Sequence, residues 1–316
     1  ARAHRIKQPL SNFSGPWHNP VIMTDQIPIL SGLSDLADDF DAYIIDVWGV
    51  IHDGISLYPG VIDCLEKIAA TGKPYVMLTN APRRADAVRH GMDGMGVSDE
   101  LCPIIMSSGE ATHLGLSERR ESWFDGVSAT YVHIGPDRDD GLFDNLDLLK
   151  IDAVADAGLI VNTGPWDDEE TVADYEDFLQ QGAAAGVKMV CANPDLEVIR
   201  GGHRIICAGA LAKRYEELGG DVLYYGKPYR PIYDSCLHRM GNPEPARVLA
   251  IGDSLKTDIT GASELGMYSV LVIGGIHGEA FGVADGDRSA EAGKRIATVC
   301  APEGVYPDAA IQTFSW

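Results

Sequence analysis

The chain is poor in basic residues and lacks long apolar runs. Its 316 residues include 25 Lys and Arg against 47 Asp and Glu, which gives a formal net charge of −22 at pH 7. Because such a field repels other polyanions, we expect neither nucleic acid nor an anionic membrane surface as a partner. No apolar run reaches the roughly 20 residues that cross a bilayer, and no secretory signal pattern opens the chain.

Cysteines are few and widely spaced, without any Cys-x-x-Cys pair. The spacing argues against a zinc site or a disulfide framework and favours reduced thiols in the cytoplasm. The six positions are Cys64, Cys102, Cys191, Cys207, Cys236 and Cys300. Residues 1–22 are basic and lack clear periodicity, which leaves two interpretations open: a leader or expression-derived segment ahead of Met23, or a native one.

From Ala42 onward, strand-like and helix-like segments alternate, as is typical of a doubly wound parallel sheet. The first half predicts strands at 43–47, 75–79, 104–106 and 129–134, and helices at 61–70, 84–95 and 108–116. Gly135-Pro136-Asp137 then breaks the pattern. We therefore predict a core domain of residues 23–136 and 222–316, with a smaller α/β cap domain inserted at 137–221.

The second half continues the alternation, without a convincing internal repeat. Within the predicted cap it indicates strands at 157–161 and 188–192 and helices at 169–185 and 209–218. The core is expected to resume at 222–225 and to add a helix at 232–240, a strand at 248–251, a helix at 259–265 and a strand at 269–273. From about residue 287 the pattern predicts one helix and an irregular tail.

Asp46 follows the first apolar strand and precedes Gly49. Open α/β sheets bind ligands at the carboxyl ends of their strands, so this is a candidate nucleophile. Taken alone, however, an aspartate in this position is usually a turn former or a helix cap. Later segments end strand-like runs with groups that suit a phosphate or a cation: Thr79-Asn80, Gly226-Lys227-Pro228, and Gly252-Asp253 followed by Asp258. A nucleotide P-loop is rejected for the second segment, because proline replaces the required Ser or Thr.

In this order the segments resemble the four motifs of the haloacid dehalogenase (HAD) superfamily of aspartate-nucleophile hydrolases. The run from Asp46 to Gly54, followed by Pro59-Gly60, is similar to the opening of class IIA, NagD-like phosphatases. Residues 79–84, Asn193-Pro194-Asp195 and Gly226-Lys227-Pro228 are similar to that branch's later signatures. The resemblance spans about residues 38–280 and implies a Rossmann-like core with an inserted cap. It also implies a small phosphorylated metabolite as the substrate.

The resemblance assigns the nucleophile and the metal ligands. Asp46 would attack phosphorus and form an aspartyl-phosphate. The cofactor would be Mg²⁺, held by the side chains of Asp46 and Asp253 and by the backbone carbonyl of Trp48, since this ion prefers oxygen ligands. Asp258 is expected to support these ligands from outside, and it is equally suited to capping the helix that follows.

Further residues are expected to bind the phosphoryl group. Thr79 and Asn80 would donate hydrogen bonds to it, and Lys227 would supply positive charge where negative charge develops. Read in isolation, the first two form an ordinary turn and the third is a surface lysine. Of Arg83 and Arg84, one is expected to reach a phosphate and at least one to lie on a solvated helix face.

Asn193 and Asp195 are expected to line the cap side of the cleft. In the family, the matching segment helps to select the substrate, and Asp195 would bind a substrate hydroxyl. An Asx turn at the end of a strand explains the same residues equally well.

Trp48 departs from the family pattern, so the chain has Asp-Val-Trp-Gly where relatives have Asp-x-Asp-Gly. In relatives the missing aspartate protonates the leaving alcohol and then activates water, a role worth roughly 10²–10⁴ in rate. Indole does neither. His52 has a suitable ordinary pKa, near 6.5, but its place in the loop is expected to point it away from the leaving group.

Three functions remain open at this stage. The first is a Mg²⁺-dependent phosphatase that is slow or limited to good leaving groups. The second is a phosphometabolite-binding protein with little turnover. The third is a carbon–halogen hydrolase, because related dehalogenases carry an aromatic residue and glycine after the nucleophile, although Asp253 and Asp258 argue against a metal-free reaction. Whether the chain forms a homo-oligomer is left open as well.

Overall fold

Two parallel sheets organise the protein. The computed structural model describes residues 26–200, 203–274 and 278–316, so the interpretation of residues 1–22 lies outside the described residues. The chain begins with strands and helices in alternation: β1 Ala42–Asp46, α1 Val61–Ala70, β2 Tyr75–Thr79, α2 Ala85–Gly94, β3 Ile105–Ser107 and α3 Ser108–Glu118.

The rest of the chain falls into two groups of elements. The middle group contains β4 Thr130–Ile134, β5 Leu149–Lys150, β6 Leu159–Asn162, α4 Glu176–Ala184, β7 Lys188–Cys191, β8 Glu197–Arg200, β9 His203–Ile206, α5 Ala208–Glu217 and β10 Val222–Tyr224. The last group contains α6 Arg230–Arg239, β11 Val248–Gly252, α7 Thr260–Leu265, β12 Tyr268–Val272, α8 Gly278–Phe281, α9 Ala290–Cys300 and β13 Ala309–Ile311.

The first sheet has the strand order β13-β12-β11-β1-β2-β3, and the second has the order β10-β7-β6-β4-β5. Within each sheet the neighbouring strands are parallel. The chain leaves the first sheet after α3 and returns to it with α6. In the sequence, the strands of the second sheet are therefore inserted between two parts of the first. The predicted α/β fold, a parallel sheet with a smaller inserted α/β unit, is confirmed.

Two strands lie in a different sheet from the one predicted. β4 pairs with β6, where Tyr131 lies beside Leu159, and β10 pairs with β7, where Val222 lies beside Met189. The expected crossings near residues 137 and 222 therefore do not match the sheets. Gly135 ends a strand of the second sheet and is not the crossing. Hydrophobic periodicity shows that a strand exists but not which sheet it joins.

Other elements differ in detail. The predicted helix 169–185 begins as a 3₁₀ turn at Val172–Tyr175 and becomes α-helical only from residue 176. The sequence patterns did not predict β5, the antiparallel β8–β9 pair, the short helix α8, or β13 in the tail predicted to be irregular. β5 and β13 have only two and three residues, too few to show a period. None of the helices in the described parts of the chain is long and apolar enough to span a membrane.

The core lies on both faces of the first sheet. Every residue of β1 is buried, which explains its continuous apolar run. Ile45 packs on the same side as Leu65 of α1, whereas Ile44 packs on the opposite side with Ile232 of α6. Each such side chain contributes about 1.5–3 kcal/mol when fully buried. This packing aligns the carboxyl ends of β1, β2 and β11 at one edge, where the polar segments follow.

Candidate active site

Three buried carboxylates meet at the carboxyl edge of the first sheet. Asp46 ends β1, and Asp253 and Asp258 follow the neighbouring strand β11. One ligand oxygen from each lies within 4.8 Å of the others. Glycines make the approach possible, because a Cβ on Gly49 would lie 2.0 Å from Asp253 Oδ2 and one on Gly252 would lie 2.2 Å from Asp258 Cγ. Gly49 also has a φ of 84°, which other residues rarely adopt.

Lys227 places an ammonium group among these carboxylates. Its Nζ donates to Asp46 Oδ1 and, at 2.8 Å, to Asp258 Oδ1. Burial alone would lower the pKa of Lys227, but the charges of Asp258 and Asp46 outweigh it and raise that pKa. Burial and the negative charge of Asp258 raise the pKa of Asp46 against the opposing effect of Lys227. The site is therefore short of positive charge.

Asn80 links three separate segments through its side-chain amide. Its Nδ2 donates to Asp195 Oδ1 at 2.9 Å and to the Lys227 carbonyl at 3.1 Å. Its Oδ1 accepts from the Lys227 N–H at 2.7 Å and from Ser108 Oγ at 3.3 Å. Both N–H donors of the amide are thus engaged within the protein. A hydrogen bond from Asn80 to a phosphoryl group, which stays a prediction, would require one of them to break.

Asn193 and Asp195 bring the second sheet to this edge. They follow β7, and the Asp195 N–H donates to Asn193 Oδ1 at 3.0 Å, as in an Asx turn. Burial raises the pKa of Asp195, and its hydrogen bond from Asn80 opposes the shift. Of the two residues predicted to line the cap side of the cleft, Asp195 therefore contacts the carboxyl edge of the first sheet through Asn80.

The other predicted phosphate ligands differ in their surroundings. Thr79 is buried at the end of β2, and its Oγ1 accepts from the Ala81 N–H at 3.3 Å. Arg84 already has a partner on α3, because its Nε donates to Glu110 Oε2 at 2.6 Å. Arg83 is half-exposed, with its Nε 3.9 Å from Asp139 Oδ1. Of the two arginines, Arg83 is the more available for a ligand.

The loop after Asp46 holds Trp48 and His52 against each other. Their ring centroids are 5.7 Å apart in an edge-on arrangement. His52 Nδ1 accepts from the Gly54 N–H at 3.0 Å, and its carbonyl accepts from the Gly49 N–H at 2.9 Å. Burial lowers the pKa of His52. His52 thus stabilises the loop as a neutral ring, and a neutral imidazole is a poor proton donor.

Two contacts around the site were not foreseen. Asp139, just after the predicted start of the cap at residue 137, is 4 % exposed in a 3₁₀ helix at Asp137–Phe143 and approaches Arg83. Ser107 caps α3, since its Oγ accepts from the Glu110 N–H at 3.0 Å, and it also donates to the Arg83 carbonyl. The second bond of Ser107 depends on packing that the sequence does not reveal.

Known proteins match the chain over most of its length. A family model described as haloacid dehalogenase-like hydrolase matches residues 43–148, and one described as HAD-hydrolase-like matches residues 224–300. The solved structure of a haloacid dehalogenase-like family hydrolase from Brucella suis 1330 is 33 % identical, with a TM-score of 0.73. That match covers 90 % of this chain and 99 % of the other.

More distant relatives carry names of specific enzymes. Chronophin from Rattus norvegicus is 26 % identical over 266 residues, which cover 78 % of this chain and 80 % of the relative. The ribonucleotide monophosphatase NagD of Escherichia coli strain K12 is 27 % identical over 253 residues, which cover 74 % of this chain and 87 % of the relative.

Proposed function

The chain belongs to the haloacid dehalogenase-like hydrolase family, in its class IIA, NagD-like branch, and from that premise we propose that it is a Mg²⁺-dependent phosphatase. Its substrate is a small phosphorylated metabolite. The observation that carries the proposal is the meeting of Asp46, Asp253, Asp258 and Lys227 within one buried cluster. A nucleophile, a hard-cation site and a phosphate-binding ammonium group are thus combined at one sheet edge.

The donor set fits a divalent cation. Three carboxylates stand against one ammonium group in a buried cluster, so the donor set is rich in oxygen ligands and has room for a further positive charge. We assign the ion to Asp46, Asp253 and the Trp48 carbonyl, with Asp258 occupied by Lys227 and by the Ser254 N–H at 3.2 Å. Oxygen-only ligands suit Mg²⁺. Bound there, the ion would offset the negative charge of the phosphate beside the nucleophile.

The protein's own residues carry the two covalent steps of the proposal. A carboxylate oxygen of Asp46 attacks phosphorus while the ester P–O bond breaks, and the leaving group departs as an anion, which equilibrates with protons of the solvent afterwards. Water then attacks the aspartyl-phosphate, which releases inorganic phosphate and restores the carboxylate. Lys227 stays protonated because two carboxylates raise its pKa, so it stabilises the charge that develops on the phosphoryl oxygens. Thr79 and Arg83 are the further candidate phosphate ligands.

Trp48 restricts which esters react. Because indole supplies no proton, the leaving group must depart as a stable anion, which favours aryl and acyl phosphates over alkyl phosphates. We propose that chains with Asp-Val-Trp-Gly form a subgroup with this restriction. Trp48 is also compatible with the two alternatives, a binding protein and a carbon–halogen hydrolase, since neither requires a general acid. Asp253 and Asp258 argue against the second, because a metal-free displacement has no use for them.

We also propose that the second sheet and its helices form a cap over the catalytic edge. The contact of Asp195 with Asn80 supports this arrangement. A cytoplasmic setting remains part of the proposal, and the six buried free thiols are consistent with it.

The deciding experiment is a panel of aryl, acyl and alkyl phosphates and one 2-haloacid, assayed with Mg²⁺ and with chelator. We expect Mg²⁺-dependent phosphate release from the activated esters and none from Asp46→Asn, which retains the shape of the site but lacks the nucleophile. Halide release would identify the dehalogenase alternative. Binding of a phosphoester without turnover by the unmodified protein would identify the binding protein.

A further inference from the structure

An exposed indole belongs to the residue two positions after Asp46. The side chain of Trp48 leaves the backbone between Asp46 and Gly49, and both of these neighbours contact the carboxylate cluster. Val47, Gly49 and Asp46 are buried, whereas 40 % of Trp48 is exposed. A large apolar ring is therefore partly exposed on the loop that directly follows Asp46, and burying such a ring against a ligand is favourable.

The loop holds this indole in a fixed position. A Cβ on Gly54 would lie 2.3 Å from Trp48 Cη2, so the six-membered ring rests directly on the Gly54 backbone. His52 packs edge-on against the indole. Ile55, which is 87 % exposed, extends the apolar surface beyond Gly54. A ring that is held in place before ligand binding loses little conformational freedom when a ligand covers it.

We propose that Trp48 is a binding surface for a planar, ring-bearing leaving group, so that the substrates are phosphoesters of aromatic or other conjugated rings. This inference rests on the proposed function and deepens it. The chemical argument from the lost general acid concerns the stability of the leaving anion. The binding argument concerns the shape of the leaving group, because a flat ring stacks on indole whereas a saturated ring of similar size does not.

Two non-hydrolysable ligands separate shape from chemistry. Benzylphosphonate and cyclohexylmethylphosphonate have similar size, charge and apolar character, but only the first is planar. Their inhibition constants are measured against hydrolysis of p-nitrophenyl phosphate, and their dissociation constants are measured by calorimetry, both with Mg²⁺ present. We expect the benzyl compound to bind roughly 2- to 10-fold more tightly to the unmodified protein.

Variants of the indole test its part in this preference. Trp48→Leu should remove the planar preference, so that the two phosphonates bind within about twofold of each other, and Trp48→Phe should retain part of it. Gly54→Ala should also weaken the preference, because the new methyl group displaces the indole without removing it. Tyr306→Leu is the matched control, because Tyr306 is an aromatic residue of similar exposure, 47 %. It precedes the amino end of β13, whereas the site lies at the carboxyl ends of the strands.

The outcomes distinguish this inference from the function on which it rests. Equal binding of the two phosphonates to the unmodified protein overturns the inference and leaves the phosphatase intact. If Trp48→Leu still prefers the planar phosphonate, the inference is also overturned, because a surface other than Trp48 then binds the ring. Failure of both phosphonates to bind, together with no phosphate release from any ester, overturns the proposed function and this inference together.

Discussion

Asn80 and Asp195 form a hydrogen bond of 2.9 Å between the two sheets, although 115 positions separate them in the sequence. The same amide also holds both the N–H and the carbonyl of Lys227. One side chain thus fixes Lys227 and the turn at Asn193–Asp195 relative to each other. Asn80 and Lys227 are buried and Asp195 is partly buried, so the groups that lose Asn80 have limited access to water.

We therefore predict that Asn80→Ala is costly for both stability and activity. Each buried group left without a partner costs about 1–3 kcal/mol, and the substitution leaves the Lys227 N–H and Asp195 in that state. The free energy of unfolding, measured in urea, should fall accordingly, and kcat should fall with it. Gln180→Ala, at an exposed position on α4, serves as the control and should change neither quantity measurably. Unchanged stability of Asn80→Ala would contradict this account of the contact.

Lys227→Met should destabilise the protein through the charges it leaves behind. The substitution retains the length and apolar stem of the side chain but removes the cation between Asp46 and Asp258. Removing one partner of a buried ion pair typically costs about 3–5 kcal/mol. Thermal and urea unfolding without metal would measure the loss. Lys67→Met, which breaks an exposed pair with Asp63 on α1, is the control and should have little effect, because surface pairs contribute little.

Mg²⁺ should stabilise the folded protein, and Asp253→Asn should remove most of that effect. A ligand at 100 times its dissociation constant adds about 2.7 kcal/mol to the free energy of unfolding. Calorimetry should show at least about tenfold weaker Mg²⁺ binding in the variant, since one charged ligand is lost. Asp63→Asn, remote from the cluster on α1, should bind the ion normally. Equal stabilisation of the Asp253 variant and the unmodified protein would place the ion elsewhere.

Stability should also fall in mild acid because of His133. Burial and then the charge of Lys150 lower the pKa of His133 to about 4 from the ordinary 6.5. The folded state therefore favours the neutral ring. Its contribution is fully present above about pH 6.5 and is lost as the pH falls toward 4, by up to about 3 kcal/mol.

Unfolding in urea at about pH 7 and about pH 4.5 would measure this contribution. His133→Asn should lose less stability over that interval than the unmodified protein, because it has no imidazole to charge. The variant loses the hydrogen bond of His133 with Thr163 at both pH values. The comparison therefore concerns how much the free energy of unfolding changes between the two pH values, not its absolute value. His90→Asn, at an exposed position on α2, should retain the original slope. If the free energy of unfolding falls equally with pH in His133→Asn and in the unmodified protein, His133 is not the cause of the loss of stability in acid.

Much of the site was predictable because strand ends identify it. Asp46, Thr79 and Asp253 each follow an apolar run, and parallel strands bring their carboxyl ends to one edge. The helix α1 and the strand β2 were predicted to the residue, since strong periodicity and clear glycine or proline boundaries define them. Local pattern thus determines which elements form and which residues stand at their ends.

The contacts between distant segments were not predictable in the same way. The bond of Asn80 with Asp195, the pairing of Arg84 with Glu110 and the burial of Asp139 depend on how distant segments pack. Nothing in the spacing of these residues indicates their partners. The assignment of β4 and β10 failed for the same reason, because the apolar pattern of a short strand suits either sheet.

Trp48 gives the sharpest prediction about the reaction itself. If indole has only displaced a general acid, hydrolysis depends strongly on the pKa of the leaving group, so p-nitrophenyl phosphate should react and glycerol phosphate should be far slower. Trp48→Asp restores the residue found in relatives. It should raise the rate on glycerol phosphate preferentially, by roughly 10²-fold or more, because proton donation matters most for a poor leaving group.

The measurement is kcat/KM for both esters, with Mg²⁺ present, in the unmodified protein, in Trp48→Asp and in Asp46→Asn. The last variant should hydrolyse neither ester, which shows that both substrates use the same nucleophile. Equal and fast turnover of the two esters by the unmodified protein would mean that another group transfers the proton. His52→Gln would then be the next variant to assay, although the lowered pKa of His52 and its bond from the Gly54 N–H argue for a loop-stabilising role.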